Sequence, residues 1–200
     1  MSLTWVDDDE MTSIANALRT KLGTITTYKP SQMFIALQGL VVIKNDLSSF
    51  LNKTLTSYET DDLTVIRPYG MAYCLTLDTV SIPNTTILRS HALYGCRNIR
   101  HLNLDGVVTI EESALSGCEH ITSLELPNVT SIGNYAFYSC FRLETLVLSG
   151  NTVCTLASDN ALMGTAIVEH GGTIKVPANL VDTYKAASGW STYASHIVAI

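Results

Sequence analysis

The 200-residue sequence predicts an α+β fold with a short N-terminal helical unit, a solenoid of 22-residue coils carrying a parallel sheet, and a C-terminal helical cap. Three observations lead to this prediction. An internal repeat fills the middle of the chain, an apolar pattern of helical spacing precedes it, and a segment rich in aromatic residues follows it. A fixed period of this length is typical of a solenoid, because one unit buries its apolar face only against its neighbours.

Cysteines mark the repeat. They are equally spaced along the series Cys74, Cys96, Cys118 and Cys140, and the interval is the length of one coil. Six other positions of the unit are apolar or small in every copy. Each unit has an x-Leu-x-Leu type of run, whose period of 2 predicts a short strand. We expect these strands to pair in parallel about 4.8 Å apart. We also expect a second short strand near residues 129–132 and a tight helical turn at the Ala-Phe-x-x-Cys segment.

A ladder of small buried side chains is the favoured interpretation of the four cysteines, with each thiol a weak donor to a nearby carbonyl. Zinc binding is one alternative, but it needs four ligands that converge on one point. Disulfides are another alternative. Coils about 4.8 Å apart lie within disulfide range, although parallel Cβ vectors aim the sulfurs badly. Cys154 makes the cysteine count odd, which argues against a disulfide framework.

The repeated unit resembles the BspA-like leucine-rich repeat, whose pattern is Ile-x-x-x-Ala-Phe-x-x-Cys-x-x-Leu-x-x-Leu-x-Leu-Pro. Segments 110–127 and 132–148 match this pattern closely, and the second unit matches well. The first unit departs from it at Gly70 and Met71, where the pattern has alanine and an aromatic residue. Segment 160–177 is a degenerate fifth unit that has lost the cysteine and carries extra residues before its strand.

This resemblance covers residues 66–200 and suggests a division of the chain. Residues 1–65 form an N-terminal helical docking or oligomerisation unit and a connector. Residues 66–176 form four regular leucine-rich repeats and one degenerate repeat, and residues 177–200 form the cap. The resemblance implies an adhesion or recognition module that is not an enzyme and has no cofactor, because the repeat of this family carries no catalytic residues.

An amphipathic helix is predicted near the N-terminus, beginning at a capping-box-like Asp7 and Glu10 and ending at Gly23. A second short helix is predicted between Pro30 and Gly39. The apolar face of the first, the candidate docking helix, comprises residues at helical spacing, namely Met11, Ile14, Leu18 and Leu22.

The N-terminal segment also resembles a short sequence found in minor structural and tail-associated proteins of phages that infect Gram-positive bacteria. The resemblance covers residues 14–40, "IANALRTKLGTITTYKPSQMFIALQGL". Leu18 stands where isoleucine is usual. Together with the repeats and the cap, this resemblance implies a component of a virion.

Composition narrows the possible partners. The net charge of −6 argues against nucleic acid, which requires a basic stripe. No stretch approaches the roughly 20 apolar residues of a membrane span, so we expect no membrane insertion. The acidic start "MSLTWVDDDE" is unlike a secretory signal peptide. We therefore expect a protein made in the host bacterial cytoplasm and located on the virion, not one secreted by a signal peptide.

Both ends of the repeat array are expected to be covered. A strand near residues 54–57 would cover the edge of the first coil, since bare strand edges are otherwise exposed. At the other end, a helix is predicted to begin near Pro177 and to stop at Gly189. The side chains expected to face the last coil or to seal it are Leu180, Val181, Tyr184, Trp190 and Tyr193.

The positions between the buried strand residues form a candidate recognition face. They should line up as two columns on one sheet face, because equivalent residues of neighbouring coils lie side by side. A glycan- or protein-contacting surface and a merely solvated surface are both compatible with this pattern. The eight candidates are Thr79, Ser81, His101, Asn103, Ser123, Glu125, Thr145 and Val147.

Sequence motifs for catalysis are not found. The five histidines occupy different positions of the repeat, and adjacent Glu111 and Glu112 are expected to point apart.

The sequence therefore predicts a non-enzymatic phage virion protein of the tail, baseplate, fibre or head surface. Its expected partners are other virion proteins, a host cell-surface glycan or protein, and further copies of itself in a homo-oligomer. The alternative is an intracellular bacterial protein–protein interaction scaffold.

Overall fold

The computed structural model describes residues 56–61 and 63–200. The predictions for the candidate docking helix, with Met11, Ile14, Leu18 and Leu22, and for the second helix lie outside the described residues.

Short strands dominate the described part of the chain. One set is β1 (Ser57–Glu59), β3 (Thr79–Ser81), β5 (His101–Asn103), β7 (Ser123–Glu125), β9 (Thr145–Val147), β11 (Thr173–Val176) and β12 (Ile197–Ala199). A second set of two-residue strands is β2 (Val65–Ile66), β4 (Ile87–Leu88), β6 (Thr109–Ile110), β8 (Ser131–Ile132) and β10 (Thr155–Leu156). The helices are α1 (Ala166–His170) and α2 (Val181–Ala186), with 3₁₀ helices at Ala178–Leu180 and Ser191–His196.

All pairings between these strands are parallel, and most join residues one repeat apart, as Thr79 with His101 and Ile87 with Thr109. The predicted parallel strands, including the second short strand near 129–132, are thus confirmed. The expected strand near 54–57 lies at Ser57–Glu59 and pairs with β3. Parallel strands in sheets with few helices fit a leucine-rich-repeat solenoid.

The expectation of one continuous recognition sheet is wrong. The first set of strands forms two sheets, β1-β3-β5 and β7-β9-β11-β12, whereas β2-β4-β6-β8-β10 is continuous. Near the break, neighbouring coils are joined outside the strands. The backbone N–H of His120 donates to the Arg97 carbonyl at 3.2 Å, and Asn128 Nδ2 donates to the Asp105 carbonyl at 2.8 Å. These bonds hold the two coils together before β7 and after it.

The expected helical turn at the Ala-Phe-x-x-Cys segment is also wrong. In an α-helix each N–H would bond within the segment, to the carbonyl four residues earlier. Here alternate N–H groups donate to the next coil, as from Leu93 to Ala114 at 2.8 Å and from Gly95 to Ser116 at 2.8 Å. The chain turns through left-handed residues, which recur with the repeat as Tyr69, His91, Ser113 and Tyr135 and as Tyr73, Gly95, Gly117 and Ser139.

The core follows the repeat, as the sequence predicted. Leu88, Ile110 and Ile132 occupy one position of successive coils, and none has exposed surface. Leu102 departs from this pattern, because it is only partly buried whereas its equivalent Val80 in the preceding coil is fully buried. Leu102 lies on β5, beside the break between the two sheets.

At the C-terminus, the helical segment begins directly after Pro177, as predicted, but ends at Ala186 and not at Gly189. It ends early because Ala187 is extended, with ψ 145°. Tyr184, Trp190 and Tyr193 are buried, and Leu180 and Val181 pack partly buried against the core. The 3₁₀ helix and β12 that follow were not predicted from the sequence.

Candidate recognition surfaces

The candidate recognition face lies on β3, β5, β7 and β9, as the sequence predicted. The structure pairs its residues in two groups, because no pairing joins β5 to β7. His101, Ser123 and Glu125 are exposed. The others are half-buried, namely Thr79, Ser81, Asn103, Thr145 and Val147.

Several groups on or beside this face are already engaged within the chain. Asn103 Oδ1 accepts a hydrogen bond from the Asp105 N–H at 3.0 Å, and Ser149 Oγ donates to Glu125 Oε1 at 3.4 Å. Asp78, directly before β3, pairs with Arg100, directly before β5. The hydrogen bond from the Arg100 guanidinium lowers the pKa of the Asp78 carboxyl. His101 adds an exposed aromatic ring to this face.

Four further residues extend the two columns and were missed by the sequence reasoning. Ser57 and Glu59 pair with Thr79 and Ser81, and counting back one period would have found them. Thr173 and Lys175 pair with Thr145 and Val147 at the other end. The interval there is longer than one period, so the period alone does not locate them. The strand-like "TIKVP" segment was the available signal.

The cysteines form an inter-coil ladder, as predicted for three of the four. Cys96, Cys118 and Cys140 are buried, and their thiols donate to the carbonyls of Met71, Leu93 and Leu115 in the preceding coil. Burial raises the pKa of Cys96 and Cys118 well above the usual value and that of Cys140 to about 12. Thiols held neutral in this way are inert packing groups.

The prediction of a buried ladder is wrong for Cys74, because this residue is only partly buried. The position one period earlier, residue 52, lies outside the described residues. All five cysteines are free.

In the fifth unit the ladder position is held by buried Thr165, whose hydroxyl donates to the Leu162 carbonyl at 2.7 Å. This bond lies within the coil of Thr165 itself, whereas the three buried thiols donate to the preceding coil.

A second surface lies on the turns and was not found from the sequence. We call residues 69–73, 91–95, 113–117 and 135–139 the turn edge. In the second coil the rings of His91 and Tyr94 lie 5.3 Å apart between centroids. In the fourth coil Tyr135 and Tyr138 meet edge to face at 5.7 Å.

The first coil adds two more rings to the turn edge. Tyr69 stacks on His91 with centroids 4.6 Å apart and planes at 19°, and Tyr73 meets Tyr94 edge to face at 5.3 Å. Tyr73 is 58% exposed. The ring of Tyr73 lies over Gly95, because a Cβ at Gly95 would be 2.9 Å from its Cδ1 atom. The glycine at this position therefore makes room for the ring.

Two of the polar residues considered as catalytic or metal-binding groups, Glu111 and His120, contact the preceding coil. Glu111 accepts from Arg89 at 2.7 Å and from the Ser90 N–H at 2.9 Å. His120 Nδ1 lies 2.8 Å from the Arg97 carbonyl oxygen. Within residues 56–61 and 63–200, no group of three or more His, Cys, Asp or Glu side chains is placed to hold a metal ion.

Comparison with known proteins defines the class of this module. The BspA type leucine-rich repeat region matches residues 46–169, in six copies. The chain therefore belongs to the BspA-type leucine-rich repeat family. The match includes residues 46–65, which the sequence reading assigned to a connector. The hydrogen bonds beside β1 agree with a repeat in this segment. The Thr56 carbonyl accepts from the backbone N–H groups of Asp78 and Thr79. One period later, the Asp78 carbonyl accepts in the same way from the N–H groups of Arg100 and His101.

A search of curated proteins finds no match to this chain. In the described part of the chain, no helix has both the length and the apolar character that crossing a membrane requires.

Proposed function

We propose that this protein is a non-enzymatic binding protein that displays its leucine-rich repeats on a phage particle, as a structural or accessory component. The binding role rests chiefly on one observation. Mostly polar side chains stand in columns on two sets of strands held in register by parallel pairing, from Ser57 on β1 to Asn103 on β5 and from Ser123 on β7 to Lys175 on β11. Repeat proteins commonly use such a surface for recognition, and leucine-rich repeats suggest protein–protein interaction.

The virion role is supported by the N-terminal segment, residues 14–40, through its resemblance to phage tail-associated proteins. Met11, Ile14, Leu18 and Leu22 would dock this segment to other virion proteins or assemble it into a homo-oligomer. Display in several copies suits a small binding face, because linked copies raise overall avidity by about 10²–10⁴ without new contacts. The position would be a tail, baseplate, fibre or head surface.

The partner of the displayed module would be a glycan or protein on the host cell surface. His101 and Glu125 are the most informative residues to change, because both are exposed and they flank the break between β5 and β7. The largely polar side chains of the face favour hydrogen bonding over apolar burial.

A direct test is competition for adsorption. The purified full chain is added to host cells before the phage, and free phage is counted after a fixed time. The wild-type chain is expected to reduce adsorption, and a His101→Ala/Glu125→Ala variant is expected to lose this effect. Met163→Ala, at an exposed apolar residue away from the strand face, is the matched control. If wild type does not compete, the host-recognition role is wrong.

The second candidate is an intracellular bacterial scaffold for protein–protein interaction. The observation that favours it is the family match itself, which covers residues 46–169 and would be shared by any such scaffold. The two candidates differ in where the protein is found after lysis, in particles or in the soluble fraction.

A further inference from the structure

The backbone ladder of the strand face is interrupted between β5 and β7. Before the break, the N–H groups of Arg100 and His101 both donate to the Asp78 carbonyl, at 2.9 and 3.1 Å. One period later the equivalent N–H groups belong to Thr122 and Ser123, and in the described part of the chain neither donates to the Arg100 carbonyl. In the next coil the pattern returns, because two N–H groups donate to the Thr122 carbonyl at 2.9 and 3.2 Å. Two donors that are paired in the coils on either side are therefore open here.

The far end of the break shows the same loss. After β3, the Ile82 N–H donates to the Asn103 carbonyl at 3.1 Å. After β7, the Leu126 N–H donates to the Val147 carbonyl at 2.8 Å. Among the described residues, no such bond runs from the Leu104 N–H, which follows β5, to the third coil. Backbone groups that lack a partner in the chain need water instead, so the break requires access to solvent.

Solvent does reach the break. Ser123 is exposed, although the larger Thr145 at the same position of the next coil is half-buried. Leu102 on β5 is only partly buried, whereas Val80 and Leu146, which hold its position in other coils, have no exposed surface. Because exposure rises on both strands and at a core position, β5 and β7 stand apart along their length.

The same two coils are joined at three other places. β4 pairs with β6 in the continuous sheet. On the turns, the Leu93 N–H donates to the Ala114 carbonyl at 2.8 Å. On either side of β7, the His120 N–H and Asn128 Nδ2 reach carbonyls of the preceding coil at 3.2 and 2.8 Å. Coils tethered in this way keep the open donors of β7 beside the open acceptors of β5, so a small movement of one strand is enough to form the missing bonds.

We propose that the break is a latch on the strand face, open in the free chain and closed by a partner whose contacts bridge exposed His101 on β5 and Ser123 on β7. Closure forms the bonds from Thr122 and Ser123 to the Arg100 carbonyl and joins the two sheets into one. A partner shifts such an equilibrium only by binding one state more tightly. Contacts that span the break meet this condition, because closure brings both strands within reach together. This inference rests on the proposed binding role of the strand face and adds a regulation of that face.

The first part of the test measures amide hydrogen exchange in the full chain by NMR, without any partner. The Thr122 N–H is expected to exchange at least about tenfold faster than the bonded N–H groups of Arg100 and Glu144, after correction for intrinsic rates. These residues are a matched set, since they hold the same position of successive coils and all three are exposed. Equal protection of the three amides would show a closed ladder and would overturn the inference.

The second part replaces the partner with a zinc clamp across the break. Ser123→His adds an imidazole beside His101, and one Zn²⁺ ion reaches both rings when the strands lie at the paired spacing of about 4.8 Å. We expect Zn²⁺ to slow exchange of the Thr122 N–H at least about tenfold in this variant and to leave it unchanged in wild type. Thr79→His is the matched control, because position 79 pairs with His101 across a ladder that is already closed. There Zn²⁺ should bind without slowing exchange at Thr122.

Calorimetry checks that Zn²⁺ binds each histidine variant, and urea unfolding checks each fold. Bound Zn²⁺ without added protection at Thr122 contradicts the latch. If Ser123→His does not fold or bind zinc, Asn103→His/Glu125→His places the clamp at the other end of the break, and the Leu104 N–H gives the readout. A break that stays open under the clamp leaves the adsorption test of the strand face unaffected, so the two proposals fail separately.

Discussion

The Cys140 thiol donates a hydrogen bond to the carbonyl of Leu115 in the preceding coil, with 3.2 Å between sulfur and oxygen. Cys118 makes the same bond to Leu93 at 3.3 Å, and Cys96 to Met71 at 2.9 Å. The repeat therefore preserves a side chain that is small enough for the core and still satisfies a buried carbonyl.

The first prediction concerns the size limit at this position. Cys118→Leu is expected to lower the free energy of unfolding by about 1–3 kcal/mol, because extra methylene groups overfill a close-packed core. Cys118→Ala is expected to cost about 1 kcal/mol, through the lost thiol bond. Urea denaturation compares the two variants with wild type. A leucine variant as stable as the alanine variant would show that the ladder is not closely packed.

The second prediction concerns alkaline pH. Burial raises the pKa of Cys140 to about 12, whereas the thiol of the unfolded chain titrates near 9.0. Above pH 9 the unfolded chain loses this proton and the folded chain keeps it, so the free energy of unfolding falls as pH rises towards 12. The fall is about 1.4 kcal/mol per pH unit for one thiol.

Cys140→Ser removes this thiol but keeps a donor for the Leu115 carbonyl. Urea unfolding at pH 8 and pH 10.5, with reductant present, should therefore show a smaller loss of stability in the serine variant than in wild type. Ser149→Ala, at a half-buried residue without a thiol, should behave like wild type. Identical pH dependence in all three proteins would be incompatible with a buried, neutral Cys140.

The third prediction concerns the left-handed turn residues. Ser139 has φ 57° in a column whose other members include Gly95 and Gly117. Ser139→Gly is expected to raise the free energy of unfolding by about 0.5 kcal/mol, because relief of left-handed strain outweighs the added entropy of the unfolded chain. Ser149→Gly, outside this column, should lower it instead. Thermal unfolding of both variants measures the difference, and a loss of stability in Ser139→Gly would contradict the assigned turn.

The fourth prediction concerns close approach between coils. A Cβ at Gly106 would overlap the carbonyl oxygen of Pro83, and that backbone cannot move without disturbing both coils. Gly106→Ala is therefore expected to cost about 1–3 kcal/mol. Gly150→Ala is the matched control, because its Cβ would meet the Pro127 carbonyl oxygen at 3.1 Å and needs only a small shift. Equal stability of the two variants, measured by urea denaturation, would argue against the close approach of the two coils at Pro83.

The 22-residue period was sufficient to predict the strands and the buried ladder. Residues such as Ile110 and Cys118 are buried beside the residues that hold the same position in neighbouring coils. The period was insufficient for the turns. Left-handed residues are usually recognised by glycine or asparagine, and Tyr69 and Tyr135 carry no such signal. The helical turn expected there was wrong for this reason.

Features that depart from the period could not be predicted from the sequence either. The interval before Thr173 is longer than one coil, and no pairing joins β5 to β7, so the period alone predicts neither feature. The turn edge was overlooked because its aromatic residues do not recur in every coil. Comparing one coil with the next shows Tyr94 replaced by Ser116 and His91 replaced by Ser113.

Carriage of this leucine-rich repeat protein on a phage particle can be decided by quantitative mass spectrometry of density-purified particles from a lysate of the producing strain. We expect the chain to band with the capsid and tail proteins in a fixed ratio, which would also give its copy number. Recovery of the chain only in the soluble fraction would contradict the virion role and favour the intracellular scaffold.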